Sequence, residues 1–357
     1  MTKVNDIASV GQKAADDESI QVIRKAIRQS GHDIRARFPI LANQNLIGSL
    51  IFLFAIAGIG LCAWAYLNDV LSPWVCIPLI AFFTSLLHEL EHDLIHWQYF
   101  KNNKIIHNLM LLSVWLLRPG TINPWIRRYL HFLHHKVSGT EKDIEERGIS
   151  NGRTWGFMRL WIIFDTLTPN MINAFLHAKK GQGLYRAVRV LLAYFPFGLL
   201  TVVAWYSFLI FHISNFVLEL ADMNAIAWSA NTLANMAILN HVVVILIAPF
   251  YVRSISINFI SSNMHYYGNV NSIMQQTQVL THPVFWPFQL FCFNFGSSHG
   301  IHHFVVKEPF YIRQLTVKDA HKVMREQGVR FNDLGTFKRA NRFDYDNGKQ
   351  TEELLTS

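Results

Sequence analysis

The 357 residues are 51% hydrophobic and 13% aromatic but only 16% charged, with a formal net charge of +8, whereas a soluble domain usually carries about a quarter charged residues. The apolar residues fall into long charge-free runs, which excludes an ordinary globular chain. No basic stripe with interleaved aromatics is present, so no nucleic-acid partner is expected.

In chain order, residues 1–45 are polar and mixed in charge, with an amphipathic helix expected from Asp16 to Arg37. They contain no apolar run with a small-residue cleavage site, so the N-terminus is expected to stay on the side where it is made. Charge-free stretches then predict transmembrane helices at about 46–67 and 74–96, joined by a short turn around Asp69 to Pro73. About 20 apolar residues suffice to cross a bilayer core. Ile105 to Leu117 and Trp155 to Phe175 are apolar on one face and interrupted by charge. They are expected to lie in the interface, with Trp155, Phe157, Trp161 and Phe164 at the headgroup boundary. Two further spans are predicted at about 190–213 and 236–260, the last broken only by Arg253.

The expected fold is therefore an all-α integral membrane domain covering 1–357, with four transmembrane helices in two hairpins and no internal repeat or linker. Seven Lys or Arg precede the first span, fourteen lie between Trp97 and Arg189, ten follow Ile260, and none falls between Ser214 and Asn235. By the positive-inside rule, both termini and the central segment are expected on the cytoplasmic side, where the basic residues also attract anionic membrane lipid. Cys62, Cys76 and Cys292 are isolated, with no CxxC spacing, and read as buried thiols.

Among seventeen histidines, three groups stand out. The second span ends in His88-Glu-Leu-Glu-His92-Asp-Leu-Ile-His96, which places three imidazoles along one helical face. His131-Phe-Leu-His134-His135 and His299-Gly-Ile-His302-His303 repeat an HxxHH spacing, whose first, fourth and fifth residues share one side of a helix. All are expected at the cytoplasmic ends of spans, forming a histidine-rich cap. Imidazole suits Zn, Cu, Fe and Ni. Eight or nine such ligands are too many for one tetrahedral zinc and suit two metals with open positions, for which iron is the obvious redox choice. Isolated His32, His107, His177, His212, His241, His282 and His321 carry no assigned chemistry.

His88-Glu-Leu-Glu-His92 is also a literal HExxH, the zinc-protease spacing. No later span offers a third acidic ligand, and both HxxHH groups would go unexplained. A metal transporter would place its ligands mid-membrane. A carboxylate di-iron bundle needs two Glu-x-x-His pairs, of which Glu89 to His92 is one without a partner.

The boxes HELEH, HFLHH and HGIHH, their order and their placement resemble the membrane fatty acid desaturase and hydroxylase family, over most of the chain. The resemblance implies a di-iron centre with O2 as co-substrate, oxidising an unactivated C–H bond of a fatty acid or acyl chain. It implies His88 and His92 as ligands from the first box, His131, His134 and His135 from the second, and His299, His302 and His303 from the third. A ninth ligand common in the family points to His265, in Ser261-Ser-Asn-Met-His265. Acyl-CoA desaturases place a water-holding asparagine four residues before it; here that position is Ser261, with Asn263 close by. His96, Glu89, Asp143 and Asn263 are candidates for an additional ligand or for a side chain that orients one. Glu91, Asp93, Glu141, Glu145, Glu146 and Glu308 are further carboxylates near the boxes.

Desaturation is the commoner family outcome and is the expected reaction. HELEHDLIH and EKDIEERG are also similar to desaturase-like fatty acid decarboxylases that make terminal 1-alkenes. That outcome requires a carboxylate anchor, for which Arg253, Arg127 and Arg128 are candidates. No GxGxxG, haem-binding HPGG or ferredoxin-type cysteine set is present, so electrons are expected from a separate ferredoxin or cytochrome donor with its reductase.

Overall fold

The computed structural model describes residues 2–344; residue 1 and residues 345–357, the ends of the expected single domain, lie outside the described residues. Among the described residues the chain is 72% helix, without β-strands. α1 (Thr2–Arg37) leads into α2 (Gln44–Leu67), whose start is capped by the Asn43 side chain accepting from the Leu46 amide. α3 (Pro73–Ile95) opens with proline in the first turn, where its missing N–H costs nothing. Gly58 lets α2 pack closely on α3, and Gly48 lets it pack against Tyr99 in the connection that follows. A Cβ at Gly48 would come 2.6 Å from the Tyr99 ring, and one at Gly58 would run into Phe83.

Next come α4 (Lys104–Leu116), α5 (Pro124–Val137) and α6 (Ile144–Gly148), capped by the side chains of Asn103, Asn123 and Asp143 respectively. The stretch from Trp155 to Phe175, expected as one interfacial element, is divided into α7 (Phe157–Phe164) and α8 (Thr168–Leu176). Asp165 makes the break, its carboxylate accepting from the Leu167 amide at 2.9 Å and the Thr168 amide at 3.2 Å. α9 (Gly183–Tyr194) and α10 (Phe197–Leu220) follow, then α11 (Ala230–Val242) and α12 (Ala248–Met264), which a π-helical segment at Val243–Ile247 joins into one rod. Short α13 (Trp286–Phe291), α14 (Phe295–Phe304) and α15 (Phe310–Glu326) complete the order.

Among the described residues, four helices are long and apolar enough to cross a membrane: Gln44–Leu67, Pro73–Ile95, Phe197–Leu220 and Ala230–Met264. The first two lie close to expectation. The third begins at Phe197 rather than 190, because Pro196 cannot continue the preceding helix and residues 190–194 belong to α9. The fourth is longer than the expected 236–260, running 35 residues. Its π segment sits just before Pro249, whose missing N–H interrupts the regular ladder.

These helices position the histidines through a small set of contacts. α3 packs against α2, α4, α5 and α12, and α12 against α14. α1 lies along α14 and α15, burying Ile20, Ile23 and Ile27 against Ile301, Phe304, Val323 and Met324. Arg35 pairs with Glu308 at 2.7 Å, and the Ser30 hydroxyl donates to Asp319 at 2.7 Å, fixing that register.

Candidate metal centre and cavity

The three boxes sit on α3, α5 and α14, and His265 follows the last residue of α12. Their nitrogens converge into two groups, one of His92, His96, His131 and His302 and one of His134, His265, His299 and His303. Within each group the candidate ligand atoms lie within 4.8 Å of one another. His135 stands between them, its Nε2 3.0 Å from that of His302 and 3.2 Å from that of His131, with its ring 5.1 Å from His303. In the second group His265 and His303 bring their Nε2 atoms to 3.3 Å.

His88 and His96, both expected near the centre, are placed differently. His96 joins the first group, whereas His88 joins neither and turns its Nδ1 toward Arg118 at 3.2 Å and Arg253 at 3.3 Å. Residues eight apart on one helix are separated by about 12 Å of rise, so three imidazoles on one face cannot all meet one centre.

Carboxylates behind the rings fix their orientation. Asp143 lies 2.9 Å from His134 Nδ1, Glu145 2.7 Å from His131 Nδ1, and Glu146 3.3 Å from His265 Nδ1. The Gln276 amide oxygen takes His303 Nδ1 at 2.9 Å. Each contact leaves Nε2 free to face the cluster. Glu141 is exposed, and Glu308 is taken by Arg35.

Burial holds His131, His299, His302 and His303 well below the ordinary histidine range, and lowers His96 to about 2 and His265 to about 3. These rings are neutral near pH 7, the form that ligates metal. His134 differs: burial opposes its charge, but Asp143, Glu146 and Glu145 carry it up to about 9, so a metal there displaces a proton. Among the described residues, the buried Nε2 atoms of His88, His92, His96 and His134 have no hydrogen-bond partner. Together with the facing Nε2 pairs, those of the two groups form a donor set that fits two metal ions.

Charged side chains surround this core. Glu91 is held by Arg118 and by Arg127 at 3.0 Å; Arg127 also reaches Glu145 at 3.4 Å. Arg313 joins Asp93 at 3.1 Å and Glu89 at 3.6 Å, and Asp93 also accepts from the Tyr99 hydroxyl and the Phe310 amide. Arg128 lies over Trp97 at 4.1 Å and donates to Leu94 O at 3.2 Å, its Nη2 2.8 Å from His107 Nε2. Arg127 and Arg128 are thus committed to the protein. Arg253 is not: only 2% exposed, it contacts the Ser254 hydroxyl at 2.9 Å and His88 but, among the described residues, no carboxylate. Asn263 spends its side chain on Arg159, Asn341 and Phe259 O. Ser261 instead contacts His265 Nδ1 and Glu146, each at 3.2 Å. Arg118, Arg313 and Gln276 carried no sequence signal, because their partners are brought up from distant helices.

A cavity of about 750 Å³ opens against the cluster. His88, His92, His131, His134, His299 and Arg253 contribute to its wall. Much of the remainder is apolar, including Ile126, Leu130, Ile144, Phe250, Ile257 and Phe295. Its volume lies within the range of pockets that enclose one small organic molecule.

Comparison with known families gives a match between residues 68–335 and the family described as Fatty acid desaturase. Comparison with curated proteins returned no match. The matched region holds all three histidine boxes, His265 and the cavity wall, and it contains most of the apolar helices. This chain is an integral membrane oxidoreductase that belongs to the fatty acid desaturase family.

Proposed function

We propose that the chain uses O2 to oxidise an unactivated C–H bond of a fatty acyl chain lying in the apolar cavity. The observation that carries this reading is the cavity itself, which has imidazoles of both clusters in one wall and apolar side chains over much of the rest. Two iron ions held by His92, His96, His131, His302, His134, His265, His299 and His303, with His135 between the groups, would supply O2 activation and hydrogen-atom removal. The protein's own part is orientation and exclusion of water. Asp143, Glu145, Glu146 and Gln276 aim the rings, and the apolar wall directs an alkyl chain rather than a polar molecule toward them.

Electrons come from a separate donor of ferredoxin or cytochrome type. His96 and His135 are the cluster imidazoles not fully buried, and exposed Phe132 and Lys136 beside them favour contact with an acidic donor protein. The Lys/Arg asymmetry supports two helical hairpins with both termini and the cluster on the cytoplasmic side.

Desaturation is the family's usual outcome. One observation favours a second reading, oxidative decarboxylation of a free fatty acid to a 1-alkene. A buried guanidinium without a carboxylate is costly, and among the described residues Arg253 is such a group, in the cavity wall beside His88. An acid bound there presents carbons near its carboxyl end to the cluster. Loss of a β-hydrogen atom and one further electron then releases CO2.

Purified protein supplied with reductant, O2 and fatty acid carrying 13C at C1 tests both readings. Labelled CO2 with one equivalent of 1-alkene identifies decarboxylation; an internal double bond with all carbons retained identifies desaturation. Arg253→Gln is expected to raise KM for the acid about 30-fold, the effect of losing roughly 2 kcal/mol of charge-assisted hydrogen bonding. Its iron content should stay unchanged.

A further inference from the structure

α9 packs on α8 and leaves an apolar stripe exposed. Leu184, Val188 and Leu192 recur at four-residue spacing along it, and their side chains are 70%, 41% and 57% exposed. The stripe continues through exposed Phe195 into Leu200 and Val203 of α10, a helix long and apolar enough to cross the membrane. On other parts of its surface α9 exposes Arg186 and Arg189, and Lys179 and Lys180 lie in the connection to α8. From Thr166 to Leu218 the chain has no acidic residue. An exposed apolar stripe continuous with a span, flanked by uncompensated cations, has the composition of a helix seated in an anionic lipid surface.

The same two helices wall the cavity. Asn173 and Ala174 of α8 and Val190, Leu192 and Ala193 of α9 line it, so a short distance separates the lipid-facing side of α9 from the interior. We propose that α8 and α9 form a lid seated in the bilayer surface, and that the acyl substrate enters the cavity sideways from the lipid past α9. This goes beyond the oxidation proposed above, on which its kinetic arm rests. The partner of the α9 stripe is the acyl region of the membrane, and that of the cations is the anionic headgroup layer.

Two measurements on the full chain in phosphatidylcholine/phosphatidylglycerol vesicles test the proposal. First, cysteines introduced singly at Leu184, Val188 and Arg186 are labelled with an environment-sensitive fluorophore. Dibrominated lipid should quench the labels at 184 and 188, and aqueous iodide the label at 186. Iodide quenching at 184 and 188 as strong as at 186 overturns the lipid seat, whatever the enzyme's activity. Second, Leu184→Glu/Val188→Glu places charge on the stripe without touching the cavity wall. With a long-chain fatty acid partitioned into the vesicles, KM should rise about tenfold while kcat is kept; an unchanged KM overturns the lateral route. If the double variant fails to accumulate, the labelled single variants decide alone.

Discussion

The Nε2 atoms of His135 and His302, from residues 167 positions apart in the chain, lie 3.0 Å from each other. Burial keeps both rings neutral, so two lone pairs face one another unless a proton or a cation stands between or beside them. The pair brings α5 and α14 together beside the first histidine group. His302→Ala and His303→Ala remove one ligand from each of the two groups. Each should lower bound iron, measured by mass spectrometry of purified protein, from about two per chain to about one or less, because each cluster loses a ligand. Wild-type protein holding one zinc and no iron would falsify the two-iron assignment.

His96 and His88 separate ligation from substrate contact. His96 lies in a metal-competent group, so His96→Ala should lose iron as severely as His92→Ala. His88 touches Arg118 and Arg253 instead, so His88→Ala should keep its iron and show its defect in KM. Iron loss in His88→Ala equal to that of His92→Ala would return His88 to the ligand set.

Asp143 acts on the centre through His134, accepting at 2.9 Å from a ring that burial would otherwise leave free to turn. Asp143→Asn should weaken metal binding about 10- to 100-fold, as losses of ligand-orienting groups commonly do. Competition with a chelator measures it. An affinity equal to wild type would show that accepting the capping bond from the Glu146 amide is the residue's only role.

The sidedness expected from charge placement is open to a direct test. A reporter inserted between α10 and α11, near Met223, should be active only outside the cytoplasm. One placed in the basic connection after Gly181 should be active only inside. The opposite pattern would put the histidine clusters out of reach of cytoplasmic reductants.

The sequence by itself determined the presence of four apolar spans and the pooling of histidines into three boxes, because both depend on local composition and helical spacing. It also pointed to His265 and to the carboxylates after the second box. Tertiary structure decided how the first-box residues are placed. HELEHDLIH offers three equivalent imidazoles, and only the packing of α3 against α5 and α12 directs His96 inward and His88 toward the arginines. The onset of the third span was obscured because residues 190–213 are uniformly free of charge, while the boundary depends on Pro196. Arg253 carried the same uncertainty: in sequence it is a lone charge in an apolar span. Its burial on a cavity wall beside the histidines comes from helices distant in sequence and could be read only from the folded chain.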